Sequence, residues 1–469
     1  MKLFNTLTRQ LEDFKPINPP HLSFYHCGPT VYWTQHIGNM RGMTMADLIR
    51  RSLTYVSYDV NFVRNYTDVG HLTSDADEGE DKMEKAAKRE KISPDQIANK
   101  YIDIFEKDIA KLNIIPANHK PRASQYIAEM IEMINVLINK KHAYITTQAI
   151  YFDVSTFPRY NALNKQKIDL NIKGMGKGKA DDPEKKHPAD FVLWFFKTGT
   201  HRNALQTWET PWGEGFPGWH IECSVMSKKF LGDTIDIHMG GIEHVPIHHT
   251  NEIAQSESAN EKPFVRYWLH NEHLTISGDK MAKSQGTGYA LSEIIEKGFD
   301  SLDLRYFFLT AHYRSRQNFT WEALKNAKQS RKQLMSIQQN IYQDHLPNKI
   351  NYSNQALKFK NYFVESISND VQIPQALAVL WNMIKDKNLS PVEKYSLLLD
   401  FDQVLGLKLD LLPTQHTIPH EIRLLANQRQ EAKEKKDYTT ADNIRKKIEN
   451  KGYLIEDQES GYQLKLKNY

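Results

Sequence analysis

Two short segments of the chain carry side chains that could bind phosphate. The first runs from His36 to Asn39 with the sequence His-Ile-Gly-Asn, and the second, far downstream, runs from Lys280 to Ser284 with the sequence Lys-Met-Ala-Lys-Ser. Imidazole and amide groups can donate to phosphate oxygens, and two lysines suit the charge that develops on a departing pyrophosphate. Each segment is weak evidence alone, but together they predict one nucleoside triphosphate site closed from two sides.

A second set of side chains could bind a soft metal ion. The chain has two cysteines, Cys27 and Cys223. His248 and Glu252 are four residues apart in a segment with a helical pattern, so their side chains should share one face. Two thiolates, an imidazole and a carboxylate suit zinc. Spacing alone leaves open two buried thiols without a metal, and it leaves three rival ligands: His238, His244 and His249.

The elements that must position these residues follow an α/β pattern. Residues 22–27 are apolar and β-prone, residues 28–30 are typical of a turn, and apolar residues then recur with helical spacing. His36 and Gly38 should therefore lie at the N-terminus of a helix, where free N–H groups favour phosphate. Further helices near Trp219 and His248 alternate with β-prone stretches. We expect a Rossmann-type, doubly wound parallel sheet.

Length and charge limit the classes of protein that fit. With 469 residues the chain should form more than one domain, and a net charge of +4 gives no strong overall field for nucleic acid. Any nucleic-acid site should therefore be a local patch. The N-terminus lacks the apolar core of a signal peptide, and no apolar run reaches the length of a membrane span. We expect a cytoplasmic protein without a membrane partner.

The phosphate segments resemble the HIGH and KMSKS signatures of class I aminoacyl-tRNA synthetases. Asn39 replaces the last His of the first signature, and Ala282 replaces the first Ser of the second. The surrounding residues narrow the resemblance to the cysteinyl-tRNA synthetases and cover nearly the whole chain. They are the segments Tyr25–Tyr32, Asn65–Asp68, Gly218–Ser224 and His248–Ala254.

This resemblance implies a set of site residues and substrates. It selects Cys27, Cys223, His248 and Glu252 as the ligands of one zinc ion per chain. The implied substrates are L-cysteine, ATP with Mg²⁺, and tRNA(Cys), and the reaction passes through cysteinyl adenylate. The implied catalytic and ATP-binding residues are His36, Gly38, Asn39, Gly240, Gly241, Glu243, Lys280 and Lys283, and the implied lining of the cysteine pocket is Gly28, Thr67 and Trp219.

The resemblance also implies a domain order and an RNA-binding tail. Four basic residues of the tail, together with Tyr462 in place of a family Trp, are expected to contact tRNA: Arg423, Arg429, Arg445 and Lys446. We expect a monomer. The expected domains are a catalytic domain at 1–300 with a connective insertion at 115–206, a stem-contact segment at 301–330, a helical bundle at 331–412 and an anticodon-binding domain at 413–469.

Two other functions are compatible with the same motifs. A related ligase could form the same cysteinyl adenylate and deliver cysteine to a sugar amine. A non-catalytic zinc- or RNA-binding relative could keep the fold alone. The helical tail argues against the first alternative, and the intact lysines and metal ligands argue against the second.

Overall fold

The computed structural model describes residues 1–72, 79–165, 182–276, 279–280, 288–341, 350–410, 420–458 and 461–466. The chain divides into two compact units, Met1–Leu407 and Lys408–Tyr469. The first unit contains both predicted chemical sites. No helix of the described segments is long and apolar enough to cross a membrane.

A four-stranded parallel sheet lies at the centre of the first unit. Its strands have the order β10-β9-β3-β4, and every neighbouring pair is parallel. The strand β9 is buried along almost its whole length, as expected where helices cover both faces of a sheet. This arrangement confirms the predicted doubly wound α/β fold. The bounds are β3 His21–His26, α1 Ile37–Tyr55, β4 Asp59–Arg64, α5 Trp219–Leu231, β9 Ile235–Gly241, α6 His248–Asn260 and β10 Val265–Asn271.

Helices and an antiparallel sheet separate β4 from α5 along the chain. The helix α3 begins with a capping box, in which the side chains of Ser93 and Gln96 accept hydrogen bonds from each other's backbone N–H groups. The sheet has the order β5-β6-β7-β8, and its aromatic side chains share a core with the parallel sheet. The bounds are α2 Lys82–Glu90, α3 Pro94–Lys111, α4 Ile127–Asn139, β5 Ala143–Ile145, β6 Ala149–Phe152, β7 Phe191–Phe196 and β8 Gly215–Pro217.

A small three-stranded sheet carries the start of the lysine segment. Its order is β12-β11-β13. The guanidinium of Arg41, on α1, is fully buried and connects this sheet to the helix that carries the first phosphate segment. It donates to the backbone carbonyl of Glu272 at 2.5 Å and to the side chain of Gln317 at 3.0 Å. The bounds are β11 Leu274–Ile276, β12 Asp279–Lys280 and β13 Gln317–Phe319.

Helices make up most of the rest of the first unit, together with a short hairpin at the N-terminus. The buried pair of Asp47 on α1 and Arg305 on α8, with an O–N distance of 2.7 Å, joins the helices to the parallel sheet. The bounds are β1 Lys2–Asn5, β2 Gln10–Asp13, α7 Leu291–Glu296, α8 Ser301–Leu309, α9 Trp321–Ile341, α10 Asn354–Ser368, α11 Ile373–Lys385 and α12 Pro391–Leu405.

The second unit contains the predicted helix pair followed by a hairpin. The strands β14 and β15 are antiparallel, and a small isoleucine-rich core lies between them and the helices. Arg429 is buried and donates two hydrogen bonds to Asp457, at 2.7 and 3.0 Å. Its guanidinium therefore stabilises this unit, which corrects the expectation that Arg429 contacts tRNA. The bounds are α13 His420–Glu434, α14 Tyr438–Asn450, β14 Tyr453–Gln458 and β15 Gly461–Leu466.

Candidate active site and metal centre

The first phosphate segment forms the N-terminus of α1, as predicted. His36 is the N-cap residue, and its Nδ1 accepts a hydrogen bond from the backbone N–H of Asn39 at 3.2 Å. Gly38 and Asn39 fall in the first helical turn, where backbone N–H groups have no intrahelical acceptor. Since the N–H groups of Ile37 and Asn39 already donate to Tyr289 and His36, this helix end can offer an anion the N–H of Gly38 and the positive end of the helix dipole.

The chain that follows the lysine segment lies against this helix end. The backbone N–H of Ile37 donates to the carbonyl of Tyr289 at 2.8 Å, and His36 forms a β-bridge with Ala290. Lys280 lies in β12 at the start of the segment. Lys283 and Ala282 lie outside the described residues. The structure thus brings the chain just after the second segment to the first, while the roles of both lysines stay predictions.

The four expected metal ligands converge in the first unit. Cys27 follows β3, Cys223 lies on α5, and His248 and Glu252 lie one turn apart on α6. The two sulfur atoms are 3.9 Å apart, the Cys27 sulfur is 3.9 Å from Glu252 Oε1, and His248 Nε2 is 3.0 Å from the same oxygen. All four side chains are buried. Cys27 and Cys223 are 196 residues apart in sequence, so their contact depends on the fold.

The electrostatics of this cluster favour a cation. The pKa of Cys223 falls to about 6 because the Cys27 thiol donates to it and His248 adds its charge, although burial opposes the shift. Burial raises the pKa of Glu252, but His238 and His248 outweigh it and lower that pKa to about 2. Burial lowers the pKa of His248, yet Glu252 and Cys223 raise it to about 10. One imidazolium charge thus faces both a carboxylate and a thiolate, which leaves one negative charge in excess, and a divalent ion in place of the imidazolium proton would neutralise both anions.

The donor set also fits zinc by size. Tetrahedral zinc with bonds of about 2.0–2.3 Å places its ligand atoms about 3.3–3.8 Å apart. The corresponding atoms of Cys27, Cys223, His248 and Glu252 all lie within 4.8 Å of one another. Small side-chain movements would therefore close the site around one ion.

The ligand atoms of a second combination of residues also lie within 4.8 Å of one another. It shares Cys27 and Glu252 but replaces the other two ligands by His238 and His249. His249 Nε2 lies 3.4 Å from the Cys27 sulfur, and His238 Nε2 lies 2.8 Å from Glu252 Oε2. This set offers one sulfur rather than two, so it is the poorer match to a soft ion. His238 and His249 were already rivals on spacing alone, and the structure keeps both within reach of the ion.

Trp219 lies beside the metal cluster at the start of α5. Its indole stacks on the imidazole of His248 with ring centres 4.2 Å apart. The imidazole of His71 stacks on the same indole at 4.1 Å with an interplanar angle of 10°. Sequence reasoning missed His71, because nothing in the sequence relates it to a residue nearly 150 positions away.

The other two residues expected to line the cysteine pocket are held by backbone and buried groups. The hydroxyl of Thr67 donates to Glu222 at 2.9 Å in a buried position. No residue with a side chain would fit at position 28, because a Cβ there would overlap the backbone carbonyl of Asn65. The backbone N–H of Gly28 donates to the Asn65 side chain at 2.8 Å. Both residues lie at the carboxyl ends of β3 and β4, the edge where α/β sheets bind ligands.

The residues expected to bind adenine and ribose lie at the carboxyl end of β9, where Gly240 and Gly241 are its last two residues and Glu243 follows it. A Cβ on Gly240 would overlap the rings of His244 and His249, and one on Gly241 would overlap the carboxylate of Glu243. Glu243 also lies 3.5 Å from His273 Nδ1. Both glycines thus leave room for neighbouring polar side chains, and their contact with a nucleotide remains a prediction.

Comparison with known proteins agrees with this arrangement. Residues 13–329 match the family model described as tRNA synthetases class I (C) catalytic domain. The chain is 41% identical to a protein of Treponema denticola named Cysteine--tRNA ligase, over 98% of each chain, and 38% identical to one of the same name from Chlamydia muridarum, over 99% of each. Its fold is similar to that of a Mycobacterium tuberculosis methionyl-tRNA synthetase in complex with methionyl-adenylate, with a TM-score of 0.54 and 13% sequence identity. The superposition covers 87% of this chain and 94% of that one. The chain therefore belongs to the cysteine–tRNA ligase family of class I tRNA synthetases.

Proposed function

We propose that this protein couples L-cysteine to tRNA(Cys) and uses ATP, with Mg²⁺, to activate the amino acid. The observation that carries the proposal is the buried convergence of two thiols, an imidazole and a carboxylate beside Trp219. This donor set lies next to the sheet edge from which α1 begins, so a soft-metal site and a phosphate-binding helix end share one region. Family membership supports the same function.

The metal site would give the enzyme its choice of amino acid. Cys27, Cys223, His248 and Glu252 would hold one zinc ion, which when bound offers a soft Lewis acid to the thiolate of the substrate. A serine hydroxyl gains far less from such an ion, so a discrimination on the order of 10⁴-fold is available in one binding step. His238 donates to the second oxygen of Glu252, and this contact orients the carboxylate.

The activation step would take place at the N-terminus of α1. The carboxylate of cysteine attacks the α-phosphorus of ATP, the bond to the β-phosphate oxygen breaks, and pyrophosphate leaves with the electron pair. His36, Gly38 and Asn39 would bind the triphosphate at the helix end, and Gly240, Gly241 and Glu243 the adenosine. Lys280 and Lys283 would stabilise the charge of the departing pyrophosphate.

The transfer step needs only a positioned acceptor. A hydroxyl of the 3′-terminal ribose of tRNA(Cys) attacks the carbonyl carbon of the adenylate, the bond from that carbon to the phosphate oxygen breaks, and AMP leaves with the electron pair while the hydroxyl gives up its proton. Gly28, Thr67 and Trp219 would hold the cysteinyl group for this attack, so positioning supplies much of the rate. The unit Lys408–Tyr469 and its exposed basic residues would bind the anticodon arm, for which Arg423, Arg445 and Lys446 remain candidates.

We also propose the cytoplasm as the location and a monomer as the active form. Cys27 and Cys223 are free thiols, which supports a reducing compartment. Size-exclusion chromatography with light scattering at several protein concentrations would test the monomer.

Two coupled assays test this function. The first measures ATP–pyrophosphate exchange with L-cysteine and, as a control, with L-serine. The second measures cysteine attached to tRNA(Cys) and to tRNA with another anticodon. We expect exchange with cysteine alone and charging of tRNA(Cys) alone. Exchange without charging, together with transfer to a sugar amine, would indicate the related ligase, and the absence of both activities in zinc-loaded protein would refute the proposal.

A further inference from the structure

The indole of Trp219 is stacked between two imidazoles. The ring centre of His71 lies 4.1 Å from that of Trp219, and the ring centre of His248 lies 4.2 Å from it, with interplanar angles of 10° and 27°. At these distances one face of the indole has no room for both imidazole rings side by side. They therefore cover opposite faces of the indole.

The imidazole of His71 is itself held at both nitrogens. Lys82 Nζ lies 2.6 Å from Nε2, and the Thr30 hydroxyl lies 2.5 Å from Nδ1. An ammonium group can only donate, so Nε2 accepts from Lys82 and the ring proton is on Nδ1, directed to Thr30. The backbone N–H of Lys82 also donates to the carbonyl of His71 at 3.0 Å.

The contacts of His71 come from elements that already form the site. Thr30 lies in the turn after Cys27 and bridges to Thr67 at the end of β4. Lys82 is the first residue of α2. His71 is buried, with 8% of its surface exposed. The ring therefore connects the turn of the proposed cysteine pocket and the start of α2 to one face of the indole.

We propose that His71 is a positioning residue: by stacking on the face of Trp219 opposite His248, it fixes the indole in the orientation that the cysteine pocket requires. This inference rests on the proposed function, because the orientation of Trp219 matters to catalysis only if Trp219 contacts cysteine. It adds a residue outside the metal ligands and phosphate signatures. With both faces covered, the indole can offer the substrate only its edge.

The test compares variants that separate stacking from hydrogen bonding. His71→Asn removes the ring but keeps a polar side chain, and His71→Phe keeps a ring that can stack. An aromatic pair contributes about 0.5–1.5 kcal/mol, which corresponds to roughly a 2- to 13-fold effect. We expect His71→Asn to raise the KM for cysteine by such a factor while zinc content and the KM for ATP stay unchanged. His71→Phe should have a KM for cysteine closer to that of the wild type than to that of His71→Asn.

The chain offers a matched control at His142. This imidazole lies parallel to Phe152, with an interplanar angle of 4° and ring centres 6.2 Å apart, and it lies 2.8 Å from the hydroxyl of Thr156, so it has a looser ring contact and a similar polar one. His142→Asn should leave the KM for cysteine unchanged. If His71→Asn does not fold, Lys82→Met provides a second variant, which should raise the same KM by a smaller factor because the ring remains.

Direct binding of L-cysteine by calorimetry, without ATP, keeps the outcomes distinct. A wild-type protein that binds cysteine with the same affinity as folded His71→Asn would refute the positioning role, whatever the exchange activity. An equal loss in His142→Asn would also refute it, because the effect would then be general. A zinc-loaded wild type that neither binds cysteine nor exchanges pyrophosphate would refute the proposed function and this inference with it.

Discussion

Replacement of Cys223 by serine should separate the two ligand sets that the structure allows. In one set the metal is held by both sulfurs, whereas in the other Cys223 is replaced by a histidine. The Cys223 side chain is buried, and its thiol has a pKa near 6, so it supplies a thiolate at neutral pH without a large cost. A serine hydroxyl at that position is a poor zinc ligand. Cys223→Ser should therefore weaken zinc binding strongly, while His249→Asn should not.

The size of the effect follows from the ligand count. Structural zinc sites with four ligands bind with about 10–16 kcal/mol, so one ligand contributes about 2.5–4 kcal/mol. That corresponds to a loss of affinity of roughly 10²–10³-fold. Glu252 and Cys27 belong to both sets, so their replacement would not distinguish the alternatives.

The assay is a competition for zinc between the protein and a chromophoric chelator, together with metal analysis after dialysis. The wild type should hold about one zinc per chain, and His249→Asn should match it, since its Nε2 contacts the Cys27 sulfur without belonging to the proposed set. Cysteine-dependent pyrophosphate exchange should fall with zinc in Cys223→Ser. Full zinc content in Cys223→Ser together with loss in His249→Asn would refute the two-sulfur site.

Three further predictions address the lysine segment, the second unit and the buried ion pair. Lys283→Ala should slow adenylate formation about 10²–10³-fold with little change in cysteine binding, measured by exchange and by calorimetry. Removal of residues 408–469 should leave exchange nearly intact and reduce charging of tRNA(Cys), most strongly at low salt, where phosphate contacts contribute most to affinity. Asp47→Asn should lower the free energy of unfolding by about 3–5 kcal/mol, because Arg305 would keep a buried charge without its carboxylate. Burial raises the pKa of Asp47, but Arg305 and Arg51 outweigh burial and hold the pKa of the folded state below its ordinary value. The stabilisation is therefore present above about pH 4 and is lost as the pH falls through the folded pKa. Urea unfolding at several pH values would detect this loss.

Local patterns were sufficient for much of the fold. The β-prone stretch before Gly28 and the helical spacing after it belong to one βαβ unit in the structure. These features depend on residues close in sequence, so hydrophobic periodicity and turn chemistry could predict them. His248 and Glu252 shared a helix face for the same reason.

Contacts between distant elements could not be predicted in this way. His238 at 2.8 Å from Glu252 and His71 stacked on Trp219 depend on which strands and helices become neighbours. The burial of Arg429 could not be predicted from the charge pattern, because an arginine on a charged helix is usually exposed. Its partner Asp457 lies on a later strand, so the ion pair depends on the fold. Tyr462 packs partly against the small core of the second unit and donates to Asn427, so its predicted contact with a base would have to use the remaining face.

The buried guanidinium of Arg41 has a consequence for how the protein is synthesised. Its partner Gln317 lies 276 residues later in the chain. At about 5–20 residues per second, roughly 15–55 s pass between the appearance of the two residues during translation. Throughout that interval the guanidinium of Arg41 on α1 lacks its partner Gln317, and the predicted nucleotide site at the N-terminus of this helix cannot be completed. We therefore expect that a ribosome-bound chain that stops before residue 317 will neither bind ATP nor resist proteolysis within α1.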